Sequence, residues 1–213
     1  MSVPGSTSRR RRSSSERPSG PSAAVTAQDP DELARAVVLR QLTAGPRTRR
    51  QLADALARKG IEDDVIARTL DRYEELRLVD DEAFAEAWVE TRHHGRGLSR
   101  RALAYELRHR GVEDATVREA VAEISADDEL AAARRIVRSR LPSTRGDYPA
   151  RRMRRLAGIL ARKGYGQGVA MRAIREELQA TGDDHLPDTV SDGTVSDDIV
   201  PDDIVPEDTV AED

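Results

Sequence analysis

Three segments of the chain share one pattern, in which two leucines lie four residues apart and a glycine follows four residues later. The segments begin at Arg49, Arg100 and Arg154 and read RRQLADALARKGI, RRALAYELRHRGV and RRLAGILARKGY. Leucines four residues apart lie on one face of an α-helix. A glycine after a basic last turn is a typical helix end, because glycine tolerates positive φ and basic side chains complement the helix dipole. Each segment is therefore predicted to be an amphipathic helix that ends at its glycine.

The spacing of the three copies leaves room for further helices. Gly60, Gly111 and Gly164 lie 51 and 53 residues apart. Before each central helix, a stretch with apolar residues at helical spacing opens with carboxylates, which cap helix amino ends. After each glycine, apolar residues again lie four apart, namely Ile66 and Leu70, Val117 and Val121, and Ala170 and Ile174. The chain is therefore predicted to be all-α, a tandem repeat of three three-helix modules.

Charge separates two terminal segments from the repeat. Residues 1–28 hold five Arg against one Glu among Ser, Pro and Gly, and residues 183–213 hold ten Asp and two Glu without Lys or Arg. In the acidic segment a valine recurs every five residues, a period that matches neither helix nor strand. Ordering a residue costs about 1–2 kcal/mol, which so few apolar side chains cannot offset, so both segments are predicted to be disordered. The modules are assigned to residues 29–79, 80–126 and 127–182.

Composition narrows the class of protein. Hydrophobic residues make up 38% of the chain, and with one Trp and one Phe they suit narrow contacts between helices better than one thick core. There is no cysteine, which excludes disulfides, thiolate metal ligands and cysteine catalysis. No apolar run approaches the roughly 20 residues that span a bilayer, and no apolar segment follows the basic start as in a signal peptide. A cytoplasmic protein without membrane contact is expected.

The polar residues form no recognisable catalytic or metal-binding pattern. His93 and His94 diverge by about 100° on a helix and, with His109, lack a carboxylate at ligand spacing. Asp80 and Asp81 stand at a predicted helix start, where a role as cap and dipole partner explains them better than acid–base catalysis. The sequence GYGQG follows a helix rather than a strand and lacks the Lys-Ser or Lys-Thr of a phosphate loop. We therefore expect a protein that is not an enzyme and that uses no metal and no cofactor.

Two regions of the modules are strongly basic. Residues 134–163 contain ten Arg and one Lys against one Asp, and a second region lies between Arg92 and Arg110. Arginine binds phosphate and carboxylate with two hydrogen bonds, so these side chains are candidates for contacts with DNA or an acidic protein surface. The alternative is that they are solvated helix faces whose stems cover the contacts between helices. The candidate partner-binding residues are Arg92, Arg96, Arg100, Arg101, Arg108, Arg110, Arg134, Arg135, Arg138, Arg151, Arg152, Arg154, Arg155, Arg162 and Lys163.

The second module also carries a longer pattern: a leucine, two acidic residues, phenylalanine-alanine, an arginine, a glycine, and then EL with a basic-glycine-aliphatic ending. Its positions are Leu76, Asp80, Asp81, Phe84, Ala85, Arg92, Gly97, Glu106, Leu107, Arg110, Gly111 and Val112. Because these residues occur in this order and the chain also has the threefold repeat, the chain resembles the RecX regulatory family over residues 30–182. The resemblance implies an elongated, curved stack of modules that lies along the RecA filament on DNA and lowers its ATPase and strand-exchange activity.

Three functional hypotheses follow. In the first, the chain, expected to be a monomer, binds RecA protomers and single- or double-stranded DNA together, so that several modest contacts give tight inhibition in DNA repair and the SOS response. In the second, the modules bind naked duplex DNA like helix-turn-helix proteins, and binding weakens steeply with salt. In the third and weakest, the chain is a scaffold for other proteins. The acidic segment is a candidate competitor with DNA or the filament for the basic helices, and a role in solubility explains it nearly as well.

Overall fold

The computed structural model describes residues 29–182, which form nine α-helices, one 3-10 helix and no β-strand. The helices are α1 (Pro30–Ala44), α2 (Arg49–Ala57), α3 (Asp63–Glu75), α4 (Asp81–Arg96), α5 (Arg100–His109), α6 (Asp114–Ala122), α7 (Ala126–Arg140), the 3-10 helix (Leu141–Thr144), α8 (Pro149–Arg162) and α9 (Gln167–Ala180). The predicted all-α tandem repeat of three-helix modules is confirmed. The predicted disorder of residues 1–28 and 183–213 lies outside the described residues.

Each successive set of three helices encloses its own apolar core, and we call these sets module 1 (α1–α3), module 2 (α4–α6) and module 3 (α7–α9). The leucine pairs of the sequence repeat lie at the centre of these cores, and none is more than 1% exposed. Burying a leucine side chain stabilises a fold by about 1.5–3 kcal/mol. The recurrence of these leucines is therefore explained by the core that each central helix must form. The most extensive contacts between helices lie within modules.

Polar side chains fix where several helices begin. Thr48 and Ser99 each accept a 3.2 Å hydrogen bond from the backbone N–H three residues later, at the starts of α2 and α5. Asp80 caps α4 in the same way, as its place in the sequence predicts, and the bond from the Ala83 amide lowers the pKa of its carboxyl. Caps of this kind contribute about 1 kcal/mol each.

One kind of contact joins module 1 to module 2 and module 2 to module 3. In both cases the start of the central helix in one module meets the end of the central helix in the next. The Thr48 hydroxyl donates to the carbonyl of Arg110 at 2.7 Å, and the Ser99 amide donates to the carbonyl of Lys163 at 3.0 Å. The repeat in the sequence thus produces a repeat in how the modules are joined.

A carboxylate from the first helix of the next module supports each contact. The backbone N–H of Arg49 donates to Asp81 at 2.8 Å, and the backbone N–H of Arg100 donates to Glu129 at 3.0 Å. Burial raises the pKa of Asp81, although the bond from Arg49 opposes this rise. Asp81 therefore joins two modules, a role that its position beside a helix cap does not reveal.

Two of the three repeated glycines also lie at these contacts. Gly60, Gly111 and Gly164 all have positive φ, between 74° and 82°. A Cβ atom on Gly111 would lie 2.4 Å from the Cβ of Arg50, and one on Gly164 would lie 2.6 Å from the Ser99 hydroxyl. A Cβ atom on Gly60 would meet no other part of the described chain within 4 Å, and no described module precedes module 1. The glycine therefore ends each helix and, in modules 2 and 3, also allows close approach to the preceding module.

Candidate functional site

Three basic side chains meet where module 2 contacts module 3. Arg96 is the last residue of α4, Arg140 is the last residue of α7, and Lys163 follows the end of α8. The Lys163 ammonium donates a hydrogen bond to the Arg96 carbonyl. Burial lowers the pKa of Lys163, and the positive charges of Arg140 and Arg96 lower it further. We call Arg96, Arg140 and Lys163 the junction cluster.

The ends of three helices bring the junction cluster together. The carboxyl end of a helix carries partial negative charge, which favours basic side chains there. Arg96 and Arg140 are exposed, and neither forms an ion pair with any residue in 29–182. The positive charges of the cluster are therefore not neutralised by an acidic side chain of the described chain. Neighbouring like charges disfavour the charged state of each other, and a bound anion relieves that effect. The junction cluster is therefore suited to an anionic partner.

Arg135 is a further basic residue on α7. Its side chain is exposed and has no ion-pair partner in the described part of the chain. Its charge acts on Tyr165, whose buried hydroxyl donates a 3.1 Å hydrogen bond to the carbonyl of Gly97, the residue after Arg96. Burial raises the pKa of Tyr165, and the charge of Glu129 adds to this rise while Arg135 opposes it. The tyrosine is therefore a structural hydrogen-bond donor close to the junction cluster.

Other predicted arginines are held by carboxylates. Arg134 and Arg138 both donate to Glu177 at 2.8 Å and thereby link α7 to α9. Glu177 is only 1% exposed, and the hydrogen bond from Arg138 lowers its pKa. Arg100 pairs with Glu129 at 2.9 Å across the contact between modules 2 and 3. These arginines fix helices to one another, so they are less available to an external anion.

The remaining exposed arginines on the predicted list are spread over α5 and α8. Arg108 pairs with Asp114 at 2.6 Å, and Arg151 and Arg155 both lie within ion-pair distance of Asp147. Three further exposed members of the predicted set are Arg101, Arg154 and Arg162. The structure thus does not gather the fifteen predicted residues into one surface.

Three of the predicted arginines serve the interior of the modules. The guanidinium groups of Arg92 and Arg110 lie over the ring of Trp88, at 4.1 and 3.7 Å from its centroid, as cation–π contacts. Arg152 is 8% exposed and donates to the buried hydroxyl of Thr144 at 3.1 Å. The guanidinium groups of these three side chains are therefore used in contacts within the protein.

Arg140 belongs to the junction cluster but is not one of the residues that the sequence singles out. Its local signal is its place at a helix end, two residues before Pro142. That signal does not show which other helix ends lie nearby. The cluster combines residues from α4, α7 and α8, and only the folded chain brings them together.

His93 and His94 make contacts within module 2. His93 is buried, with Nδ1 2.9 Å from the carbonyl oxygen of Leu98, and its ring lies edge-on to His94. Within residues 29–182 there is no group of three or more His, Asp or Glu that could hold a metal ion. In the same part of the chain, no helix is both long enough and apolar enough to cross a membrane.

Two family models match the chain. The model described as RecX, first three-helix domain, matches residues 34–72, and the model described as RecX, second three-helix domain, matches residues 80–121. The matched ranges fall in modules 1 and 2.

Relatives and solved structures agree with these models. The chain is 55% identical over 162 residues to regulatory protein RecX of Thermobifida fusca and 53% identical over 163 residues to that of Streptomyces lividans; it aligns over 76% of its own length in both cases and over 88% and 87% of theirs. The crystal structure of RecX from Lactobacillus salivarius shares the fold, with a TM-score of 0.65 and 19% identity over 70% of this chain and 97% of that one. The chain belongs to the RecX family of regulatory proteins.

Proposed function

We propose that this protein binds the RecA filament on DNA and lowers its ATPase and strand-exchange activity. In this proposal it acts as a cytoplasmic monomer in DNA repair and the SOS response, and it has no catalytic activity of its own. The observation that carries the proposal is the junction cluster together with Arg135, since Arg96, Arg135 and Arg140 are exposed, Lys163 is half-buried, and none of the four has an ion-pair partner in the described chain. Membership of a family of regulatory proteins supports a partner of this kind.

The junction cluster fits a phosphate or a carboxylate group. Arg96 and Arg140 are exposed, and a guanidinium group binds either anion with two hydrogen bonds. Burial and, after it, the positive charges of Arg140 and Arg96 lower the pKa of Lys163, and a bound anion would offset the effect of these charges. Binding is therefore expected to favour the charged form of Lys163. A filament assembled on DNA presents phosphate groups at regular spacing, which suits this surface.

The series of modules suits a repeating partner. The same type of contact joins modules 1 and 2 and modules 2 and 3, so binding groups on different modules are held at fixed spacing. When two linked sites bind at once, the second binds at high effective concentration, and the overall affinity rises by about 10²–10⁴. A filament of identical subunits can engage more than one module in this way.

The experiment is a titration of the DNA-dependent ATPase of RecA with the wild-type chain and with the triple variant R96A R135A R140A. The variant is expected to need at least about tenfold more protein for half-inhibition, because hydrogen bonds to charged groups contribute about 1.5–3 kcal/mol each. Lys163 is left unchanged, since its ammonium also bonds module 3 to module 2.

The matched control is R40A R58A K59A, which removes the same charge from exposed positions in module 1. It should inhibit nearly as well as the wild type. Binding to naked DNA is measured in parallel at near-physiological salt. Inhibition only at concentrations that occupy free DNA would contradict the proposal and favour a helix-turn-helix-like DNA-binding protein. Equal loss in both variants would mean that net charge, rather than the junction cluster, controls binding.

A further inference from the structure

A groove of about 500 Å³ lies between the segment that precedes α2, the segment that precedes α4, and α4 itself. We call it the Trp88 groove. Phe84 and Trp88 line it with stacked rings whose centroids are 5.6 Å apart, and both also pack against the core of module 2. Pro46, Leu78 and two alanines of α4 add to its apolar lining, and Leu78 is 53% exposed. The groove is therefore an apolar surface at the contact between modules 1 and 2.

Basic groups lie at the same groove. Arg47 lines it, and the Nε atom of Arg47 is buried without a hydrogen-bond partner in the described chain. A buried donor without an acceptor is unfavourable, so a ligand oxygen that reached this guanidinium group would be favoured. Arg77 also lines the groove, with a side chain that is 79% exposed and 3.2 Å from Asp80. A fitting ligand would therefore combine an acceptor oxygen for Arg47 with an apolar group for Leu78.

The acidic segment of this chain contains both features. Residues 197–206 read DDIVPDDIVP, two copies of a unit in which two aspartates precede Ile-Val and a proline. Each unit places two carboxylates next to two aliphatic side chains in the sequence. The composition of the segment thus complements both the charge and the apolar lining of the groove.

We infer that residues 197–206 bind in the Trp88 groove of the same molecule. An Ile-Val pair packs on Leu78, Phe84 and Trp88, and the neighbouring aspartates supply acceptor oxygens to Arg47 and Arg77. The inference does not depend on RecA and does not rest on the proposed function. It assigns the acidic segment a definite place, whereas charge alone would let it bind any basic face.

Fourteen residues separate the binding segment from the described part of the chain. Residues 183–196 connect the last described residue, Gly182, to the binding segment and span up to about 50 Å when extended. A three-helix module is about 20–24 Å across, because each helix with its side chains is 10–12 Å wide. The connection is therefore longer than one module is wide. Tethering also gives an effective concentration on the order of 1 mM, so modest contacts suffice.

The junction cluster is a less suitable place for this segment. Its members, Arg96, Arg140 and Lys163, are all cations, which attract aspartates but offer nothing to the Ile-Val pairs. If the cluster were the binding place, replacing the aliphatic residues would have no effect. Replacing the aliphatic residues of the segment therefore distinguishes the Trp88 groove from the junction cluster.

Trp88 is the only tryptophan of the chain, so its fluorescence reports on the groove. The test uses the full chain and the variant I199S V200S I204S V205S, which keeps every acidic residue of the segment. The matched control is V190S V195S V210S, which removes other valines from the same segment. The quadruple variant is expected to increase acrylamide quenching of Trp88 by about twofold, because the groove opens when a tethered ligand is lost. The control should match the wild type.

A synthetic peptide of residues 197–206, added to the quadruple variant, is expected to restore the wild-type quenching, and it should fail to do so when L78S is also present. Unchanged quenching in the quadruple variant, or equal change in the control, would overturn the inference. The inference would also be overturned if added salt increased the quenching of Trp88 while the serine substitutions had no effect. The segment would then be held by charge alone. Protection that disappears on dilution would instead indicate that the segment binds a second copy.

Discussion

The hydroxyl of Thr48, at the start of α2, donates a 2.7 Å hydrogen bond to the carbonyl of Arg110, at the end of α5 in the next module. The same hydroxyl oxygen accepts the backbone N–H of Gln51 and so caps α2. One fully buried side chain therefore begins a helix and joins two modules. Ser99 occupies the corresponding place against Lys163, where its backbone amide is the donor. The modules are thus joined through the ends of their central helices.

Replacing Thr48 by valine keeps the shape of the side chain but removes its hydroxyl. T48V is expected to lower the free energy of unfolding by about 2–3 kcal/mol, since both the helix cap and the bond to the Arg110 carbonyl are lost. The control T43V removes an exposed hydroxyl that bonds the Leu39 carbonyl, and it should cost less than about 0.5 kcal/mol. Urea unfolding followed by circular dichroism measures both, and equal losses would contradict the joining role of Thr48.

The three repeated glycines provide a matched test of the contacts between modules. G60A is expected to cost about 1 kcal/mol, because a positive φ strains alanine but the surrounding space is open. G111A and G164A should cost about 2–4 kcal/mol, because the added methyl group also displaces Arg50 or Ser99. Thermal unfolding of the three variants compares them directly. The same loss at all three positions would mean that the glycines act only as helix ends.

Glu177 makes part of the stability of module 3 dependent on pH. Its pKa is lowered from the ordinary 4.5, chiefly by hydrogen bonds from Arg138 and Arg134. A lowered pKa in the folded state gives stability that is present above pH 4.5 and is lost as the pH falls through the folded value. E177Q is therefore expected to cost about 1–3 kcal/mol at pH 7 and less at pH 3. Unfolding measured between pH 3 and 7 tests this.

The control for Glu177 is E86Q, because Glu86 is exposed on α4 and has no ion pair within residues 29–182. This variant should change stability little at either pH. If E177Q costs as much at pH 3 as at pH 7, the contribution of Glu177 is packing rather than charge.

Lys163 reports on the charge of the junction cluster. The chain has only two lysines, Lys59 and Lys163, so their side-chain NMR signals are readily assigned. R140A is expected to raise the pKa of Lys163, since it removes a neighbouring positive charge. Binding of a short DNA duplex at the cluster should raise it as well. The Lys59 signal distinguishes a local effect from a general one. An unchanged pKa of Lys163 in R140A would show that Arg140 does not belong to the cluster.

The sequence by itself determined the helices and their grouping into modules. Leucines four residues apart, acidic or hydroxyl caps and a terminal glycine act within one or two helical turns, so the relevant neighbours are close in the sequence. The leucine pairs are buried, and Asp80 caps α4, as these local rules predict. The order of residues in module 2 also sufficed for the resemblance to RecX, since a family pattern is a property of sequence.

Only the tertiary structure decided which basic residues lack acidic partners. Arg100 bonds a glutamate 29 residues away, and Arg134 bonds one 43 residues away. In the sequence these arginines look the same as Arg96 and Arg135, because ion pairs depend on distance in space, over which Coulomb energy falls. For the same reason the meeting of Arg96, Arg140 and Lys163, from three helix ends, and the approach of Gly111 to Arg50 exist only after the modules pack.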